Sequence, residues 1–376
     1  MQQVWSSMKS AINRRSFVKS SMTAGMAAAG AGLLANSSSL LAQEGTEEGS
    51  GSLIPGDAAM LRFAAAAEIL ETDFWVQYNE LGGIQDSEVP GGSGNPAYTA
   101  ALTKLDSDMP QYIHDNTDDE FTHQNFLNAY LVSKGAAPVS LSQFRTLSGS
   151  MATGSSGKKR LTNLKQLTVD TSWWTRYRID DHNPDLDPTF AFPQAVPSLG
   201  IGEHTAIPRT NADLKDPKFL QAIANTAGFH FATIEQGGNS LYPSMAQRAT
   251  SVEVLRILIS IGPTETMHFQ TWSDKAGNAP PLTDVIDPVT GVSVTFPDLS
   301  NAGPDLKANL IMPEPCPFLS RKLPRCSIIR PTETEGVAQS VVKFLSDMGL
   351  FIGQTPAFFA FLQDLAEDAD EARRGC

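Results

Sequence analysis

The chain has 376 residues, with 28 basic against 41 acidic groups and a net charge of −13. That length suffices for one large domain or two ordinary ones, and 41% hydrophobic against 18% charged residues excludes global disorder. The four basic residues of positions 1–42 (Lys9, Arg14, Arg15 and Lys19) have no acidic counterpart there, so the remainder holds 24 basic and 41 acidic groups, a net −17. Such a body repels nucleic acid and anionic membranes and favours cations or neutral partners.

Residues 1–42 read as an address. In "NRRSFVKSS" (13–21) an arginine pair precedes Ser-Phe-Val-Lys, and a weakly apolar stretch, MTAGMAAAGAGLLA (22–35), follows. This resembles the twin-arginine export signal of bacteria, which implies the twin-arginine export machinery as a partner and a periplasmic or otherwise exported location. Cleavage after Ala42 and a retained anchor both fit the Leu40-Leu41-Ala42 sequence. A polar linker, 43–56, precedes the folded body.

From Asp57, expected as an N-cap, a first helix runs to Leu81 with Leu61, Ala64, Ala65, Glu68, Thr72 and Trp75 on one face. A Gly/Pro-rich loop (82–96) and a short helical segment ending near Met109 come next. Pro110 suits the first turn of a second helix that Gly135 stops, with an inward stripe of Ile113, Thr117, Glu120, His123, Leu127 and Tyr130. Residues 136–215 are dense in Ser, Gly, Pro and Asp and read as a long irregular insertion, its Trp173 and Trp174 forming a small satellite core. A third helix begins near Pro217 and aligns Leu220, Ala224, Ala227, Phe231, Glu235, Gly238 and Tyr242. The fourth, 251–277, contains Pro263, which is expected to kink it before Glu265 and free the Ile259 carbonyl. In 277–376, DVIDPVTGVSVTF predicts a hairpin. A terminal helix after Thr355-Pro356 is expected to bury Phe359, Leu362 and Phe358. Of three cysteines none forms a CxxC pair; Cys316 and Cys326 either close a short disulfide loop or remain thiols.

Two matches stand out. Glu120-Phe-Thr-His123 and Glu265-Thr-Met-His268 share one spacing, which places both side chains on one helical face. The order alternates: a lone Glu68, then Glu120/His123; a lone Glu235, then Glu265/His268. An aromatic lies seven residues after each lone glutamate, Trp75 and Tyr242. Spacing alone also allows Glu71 in place of Glu68, with Tyr78 seven residues on. His114, His182, His204 and His230 lack a paired carboxylate and read as surface or structural. Four glutamates in an apolar core face desolvation and mutual repulsion, which two divalent cations would offset. One Glu and one Glu-x-x-His on alternate helices is the pattern of dinuclear carboxylate sites.

On "AEILETDFW", "DDEFTHQNFL", "TIEQGGNSLY" and "TETMHFQ" the sequence resembles the ferritin-like superfamily. It looks closest to the exported ferritin-like proteins labelled desiccation- or stress-related. The resemblance implies an all-α core, a ferritin-like four-helix bundle over 57–276, interrupted by the 136–215 insertion and followed by a C-terminal extension. It implies two divalent metal ions, iron ahead of manganese. Glu68 and Glu235 would be terminal ligands, Glu120 and Glu265 bridges, and His123 and His268 would bind one ion each. The expected activity is redox, the metal pair activating dioxygen or peroxide. The alternatives are a ferroxidase or iron-binding protein, and a stress-related structural protein with little or no turnover. Trp75 where tyrosine is commoner, Pro263 near a ligand and the Gly237-Gly238 pair depart from the family pattern.

Overall fold

Four long helices carry the six residues singled out above. The first, α1 (Pro55–Gly82), opens with a proline in its first turn, where a missing N–H costs no hydrogen bond. Its N-cap is Ile54, not Asp57. Asp57 is buried inside the first turn, and its carboxylate accepts the backbone N–H groups of Thr250 (2.9 Å) and Ser251 (2.8 Å). That carboxylate therefore ties α1 to a distant chain segment. After a short helix, α2 (Pro96–Leu102), α3 spans Met109–Ser133, and Gly135 follows with φ +73, a left-handed conformation that suits glycine. The short helix ends well before Met109, and turns fill the gap.

The computed structural model describes residues 51–87, 89–179, 189–303, 306, 314–328 and 335–375. Residues 1–42, expected as an export signal, most of the linker, His182 and Cys376 lie outside the described residues.

The insertion contains two-residue strands β1 (Leu147–Ser148) and β2 (Lys159–Arg160) and the single-turn helix α4 (Ser172–Arg176). Its irregular backbone is nonetheless packed into the main core. Leu161, Leu164, Leu167, Trp173 and Trp174 belong to the same hydrophobic cluster as the long helices, so the two tryptophans are no satellite. Trp173 packs edge-on against Phe269 and donates its indole N–H to Thr233 Oγ1 at 2.8 Å. Two buried carboxylates of α1 anchor the other end. Asp73 accepts Leu161 N–H, Thr162 N–H and the Arg145 guanidinium, and Glu80 accepts Arg160 and Ser155. Buried charges persist when paired and hydrogen-bonded, as both of these are.

Helix α5 (Pro217–Ala246) is capped by the Asp216 side chain, and α6 (Val252–Gly277) by Ser251. Helix α6 runs through Pro263 without interruption. Both Pro263 and Ile259 are exposed, so the carbonyl that proline leaves without a helical donor lies on the solvent side of the helix. Helix α1 packs on α3, and α5 on α6. The predicted hairpin is present as β3 (Leu282–Ile286) and β4 (Ser293–Phe296), with Gly291 at φ +72 in its turn. Strands β5 (Glu314–Cys316) and β6 (Cys326–Ile328) set Cys316 opposite Cys326, and the exposed Cys326 thiol is free. Two helices close the chain: α7 (Val337–Asp347), which the sequence reading missed, and α8 (Pro356–Glu371), capped by Thr355. Helix α8 packs against α1 and buries Phe358 and Leu362, whereas Phe359 is 37% exposed. Residues Leu53–Cys376 thus form one compact unit, mostly helical. No helix among the described residues is long and apolar enough to cross a membrane.

Candidate metal centre

Each of the four long helices turns a glutamate inward: Glu68 from α1, Glu120 from α3, Glu235 from α5 and Glu265 from α6, all buried. The i,i+3 spacing stacks His123 beside Glu120 and His268 beside Glu265. These six side chains fall into two groups whose ligand atoms lie within 4.8 Å of one another. One holds Glu68, Glu120, His123 and Glu265; the other holds Glu120, Glu235, Glu265 and His268. Glu120 and Glu265 are common to both. Glu71 belongs to neither, so on α1 it is Glu68 that the fold brings to the centre.

The distances show how crowded this arrangement is. His123 Nδ1 lies 3.0 Å from Glu120, 3.2 Å from Glu265 and 3.3 Å from Glu68. His268 Nδ1 lies 3.2 Å from Glu235, 3.3 Å from Glu120 and 3.8 Å from Glu265. A single ring nitrogen carries at most one proton and serves one acceptor well, not three. The Glu68 Oε2 and both Glu265 oxygens are buried without a hydrogen-bond partner. Orphaned carboxylate oxygens that converge with imidazole nitrogens in an apolar interior are a donor set a cation would satisfy.

Without a cation, protons must do that work. Burial pushes the Glu120 carboxyl well above its usual range, and the charges of Glu265 and Glu68 add to this. Burial likewise carries Glu235 up to about 7, the nearby His268 offsetting part of the shift. Both imidazoles are pushed the other way by burial, yet the surrounding carboxylates win and hold them protonated. Glu71 is raised by burial and by Glu68, so a fifth acid feels the same crowding from outside the groups.

A set of neighbours absent from the sequence reading holds the six in place. Asp119 accepts from His268 Nε2 at 3.0 Å, leaving Nδ1 turned to the glutamates. Asn116 donates to Glu120 (2.7 Å) and Glu235 (3.1 Å), and its own oxygen accepts the Trp272 indole N–H at 2.7 Å. The aromatics seven residues after each lone glutamate do not serve that glutamate. Trp75 donates to Glu235 at 3.0 Å, and the Tyr242 hydroxyl donates to Glu68. Each helix pair therefore supplies the donor for the other pair's lone carboxylate.

The Gly237-Gly238 pair also has a reason. A Cβ at position 238 would sit 2.8 Å from Glu265 Oε2, closer than real contacts allow, so glycine lets α5 approach the α6 carboxylate. Nothing comparable constrains Gly237. Of the remaining histidines, His204 Nε2 bonds the Ser198 and Ile201 carbonyls, and fully buried His230 shares a 2.9 Å hydrogen bond with the Tyr78 hydroxyl. Neither faces the centre's ligand groups. No family model, no curated protein and no solved structure matches this chain.

Proposed function

We propose that the four long helices form a ferritin-like bundle around a dinuclear carboxylate site, and that the protein is an exported redox protein acting on dioxygen or peroxide. The observation that carries this reading is the sharing of Glu120 and Glu265 between two otherwise separate ligand groups. Two divalent ions, iron ahead of manganese, would take Glu68 with His123 and Glu235 with His268, the shared glutamates lying between them. Four carboxylates would balance two such ions, and the orphaned oxygens of Glu68 and Glu265 would gain partners. A bound redox pair would supply the electrons that reduce dioxygen or peroxide. The chain's part is to hold and shield the site. Asp119 fixes the ring orientation of His268 and raises its basicity. Asn116, Trp75 and Tyr242 orient the carboxylates, and burial of all six side chains keeps bulk water out.

Activity is tested with iron-loaded protein. Catalytic consumption of hydrogen peroxide is the expected result, with loss of at least a hundredfold in Glu120→Ala and His268→Ala at unchanged helical circular dichroism (~10²). Oxidation of Fe²⁺ for only a few turnovers, with peroxide ignored, would make it a ferroxidase. No redox activity at all would leave the structural, stress-related reading.

Export rests on Arg14-Arg15 with Phe17 and Lys19. Folding and metal uptake before crossing would let the protein load where metal supply is controlled, since ligand type alone selects poorly among divalent metals. Replacing both arginines by lysine is expected to leave precursor in the cytoplasm, and undiminished export of that variant would refute the idea.

A further inference from the structure

A second polar feature stands apart from the Glu/His centre. Between α1, α3 and the start of the insertion lies a pocket of about 290 Å³. Its apolar lining is Val76, Val89, Pro90 and Phe121, and its described charged lining consists of Asp73, Glu80, Arg145, Lys158, Lys159 and Arg160.

Partners decide how much of that charge is left over. Asp73 is neutralised by Arg145 and Glu80 by Arg160, and the other carboxylate oxygens accept protein N–H and O–H groups. Neither acid has a face left to repel an anion. Lys158 and Lys159 are exposed and pair with no carboxylate among the described residues, so two positive charges remain. This surplus sits on a chain with net charge −13. Burial lowers the Lys165 ammonium below its usual range, and the nearby Lys159 charge adds to this. Arg160 is only 3% exposed, and its Nη2 bonds Glu80 and Ser156, so it forms part of the pocket wall without adding a free charge.

We propose that this pocket binds a small organic anion, a carboxylate or phosphate head group held by Lys158 and Lys159 with an apolar body against Val76 and Phe121. Charge fixes the head group's sign, the apolar lining excludes a bare inorganic ion as the preferred ligand, and the volume keeps the ligand small. The site needs no metal and holds whether or not the Glu/His centre takes one.

Calorimetric titration of the purified protein at low ionic strength tests it with benzoate, phenyl phosphate, inorganic phosphate and benzyl alcohol. One saturable site for benzoate or phenyl phosphate is expected, with inorganic phosphate and benzyl alcohol at least tenfold weaker. Lys158→Ala/Lys159→Ala should weaken the favoured anion at least tenfold; both side chains are exposed, so the fold should survive, as an unchanged melting curve would verify. Repeating the titration with chelator present separates this pocket from anion binding to a metal, because only the latter would vanish. Absence of saturable binding, equal affinity for inorganic phosphate or benzyl alcohol, unchanged affinity in the double variant, or loss of binding on chelation each overturns the proposal.

Discussion

Metal-free protein is expected to melt well below the metal-loaded form. A cation that binds only the native state stabilises it by about 4 kcal/mol at a free concentration a thousandfold above Kd, and two such sites add. In the metal-free protein the buried, mutually repelling glutamates must be filled with protons instead. Glu120 serves both ligand groups, so Glu120→Ala should abolish most of the metal-dependent shift. In the chelated state the same change removes one crowded acid but leaves Asn116 and the two protonated imidazoles with one acceptor fewer, so a cost beyond lost packing remains. Scanning calorimetry of both proteins, loaded and chelated, reads the four cases directly. Identical melting of loaded and chelated wild type would mean that the four glutamates do not act as a cation cage.

Acid sensitivity should come from a residue outside that cage. Burial pushes the His230 imidazole from an ordinary 6.5 down to about 3. The folded value is depressed, so the stabilisation is complete above pH 6.5 and is lost as pH falls toward 3. In that window the unfolded chain takes up a proton that the native state refuses, at about 1.4 kcal/mol per pH unit of full slope. Fully buried within a 5.6 Å edge contact to Phe74 and bonded to Tyr78, the ring has no charged partner among the described residues to offset protonation. Replacing it with glutamine keeps an acceptor for Tyr78 and removes the titration. Urea denaturation between pH 7 and 4 should show a shallower acid limb for His230→Gln than for wild type. The carboxylates that also titrate there cancel in the comparison. Parallel limbs would show that His230 protonates without penalty.

The helices were legible because their signals are local. Apolar residues recur at helical spacing, and Asp216, Ser251 and Thr355 cap the starts of three of the helices. The six inward residues were legible for the same reason, since a repeated Glu-x-x-His survives translation into one helical face. Asp57 was misplaced because a carboxylate near a helix start suits its own cap and a distant backbone equally, and tertiary structure took the second. Phe359 was misplaced because three aromatics within four residues, 358, 359 and 361, cannot all face inward, and sequence does not say which turns out. Asn116 and Asp119 carried no signal at all. Their roles depend on which helix lies opposite, and a polar residue one turn from a ligand reads as solvated surface. The insertion was the hardest part, since side-chain-to-backbone bonds such as those of Asp73 and Glu80 leave no period in the sequence.

The exchange of donors between the two helix pairs bears on how the chain is spliced together. Glu68 of the first pair leans on Tyr242 of the second, and Glu235 of the second leans on Trp75 of the first. Axial register between the pairs is thus set from within, by side chains that meet at the centre, like a key cut to match its lock. The segment between the pairs is then relieved of the task of alignment. Residues 136–215 instead add side chains to the shared core, Leu161, Leu164, Trp173 and Trp174 among them.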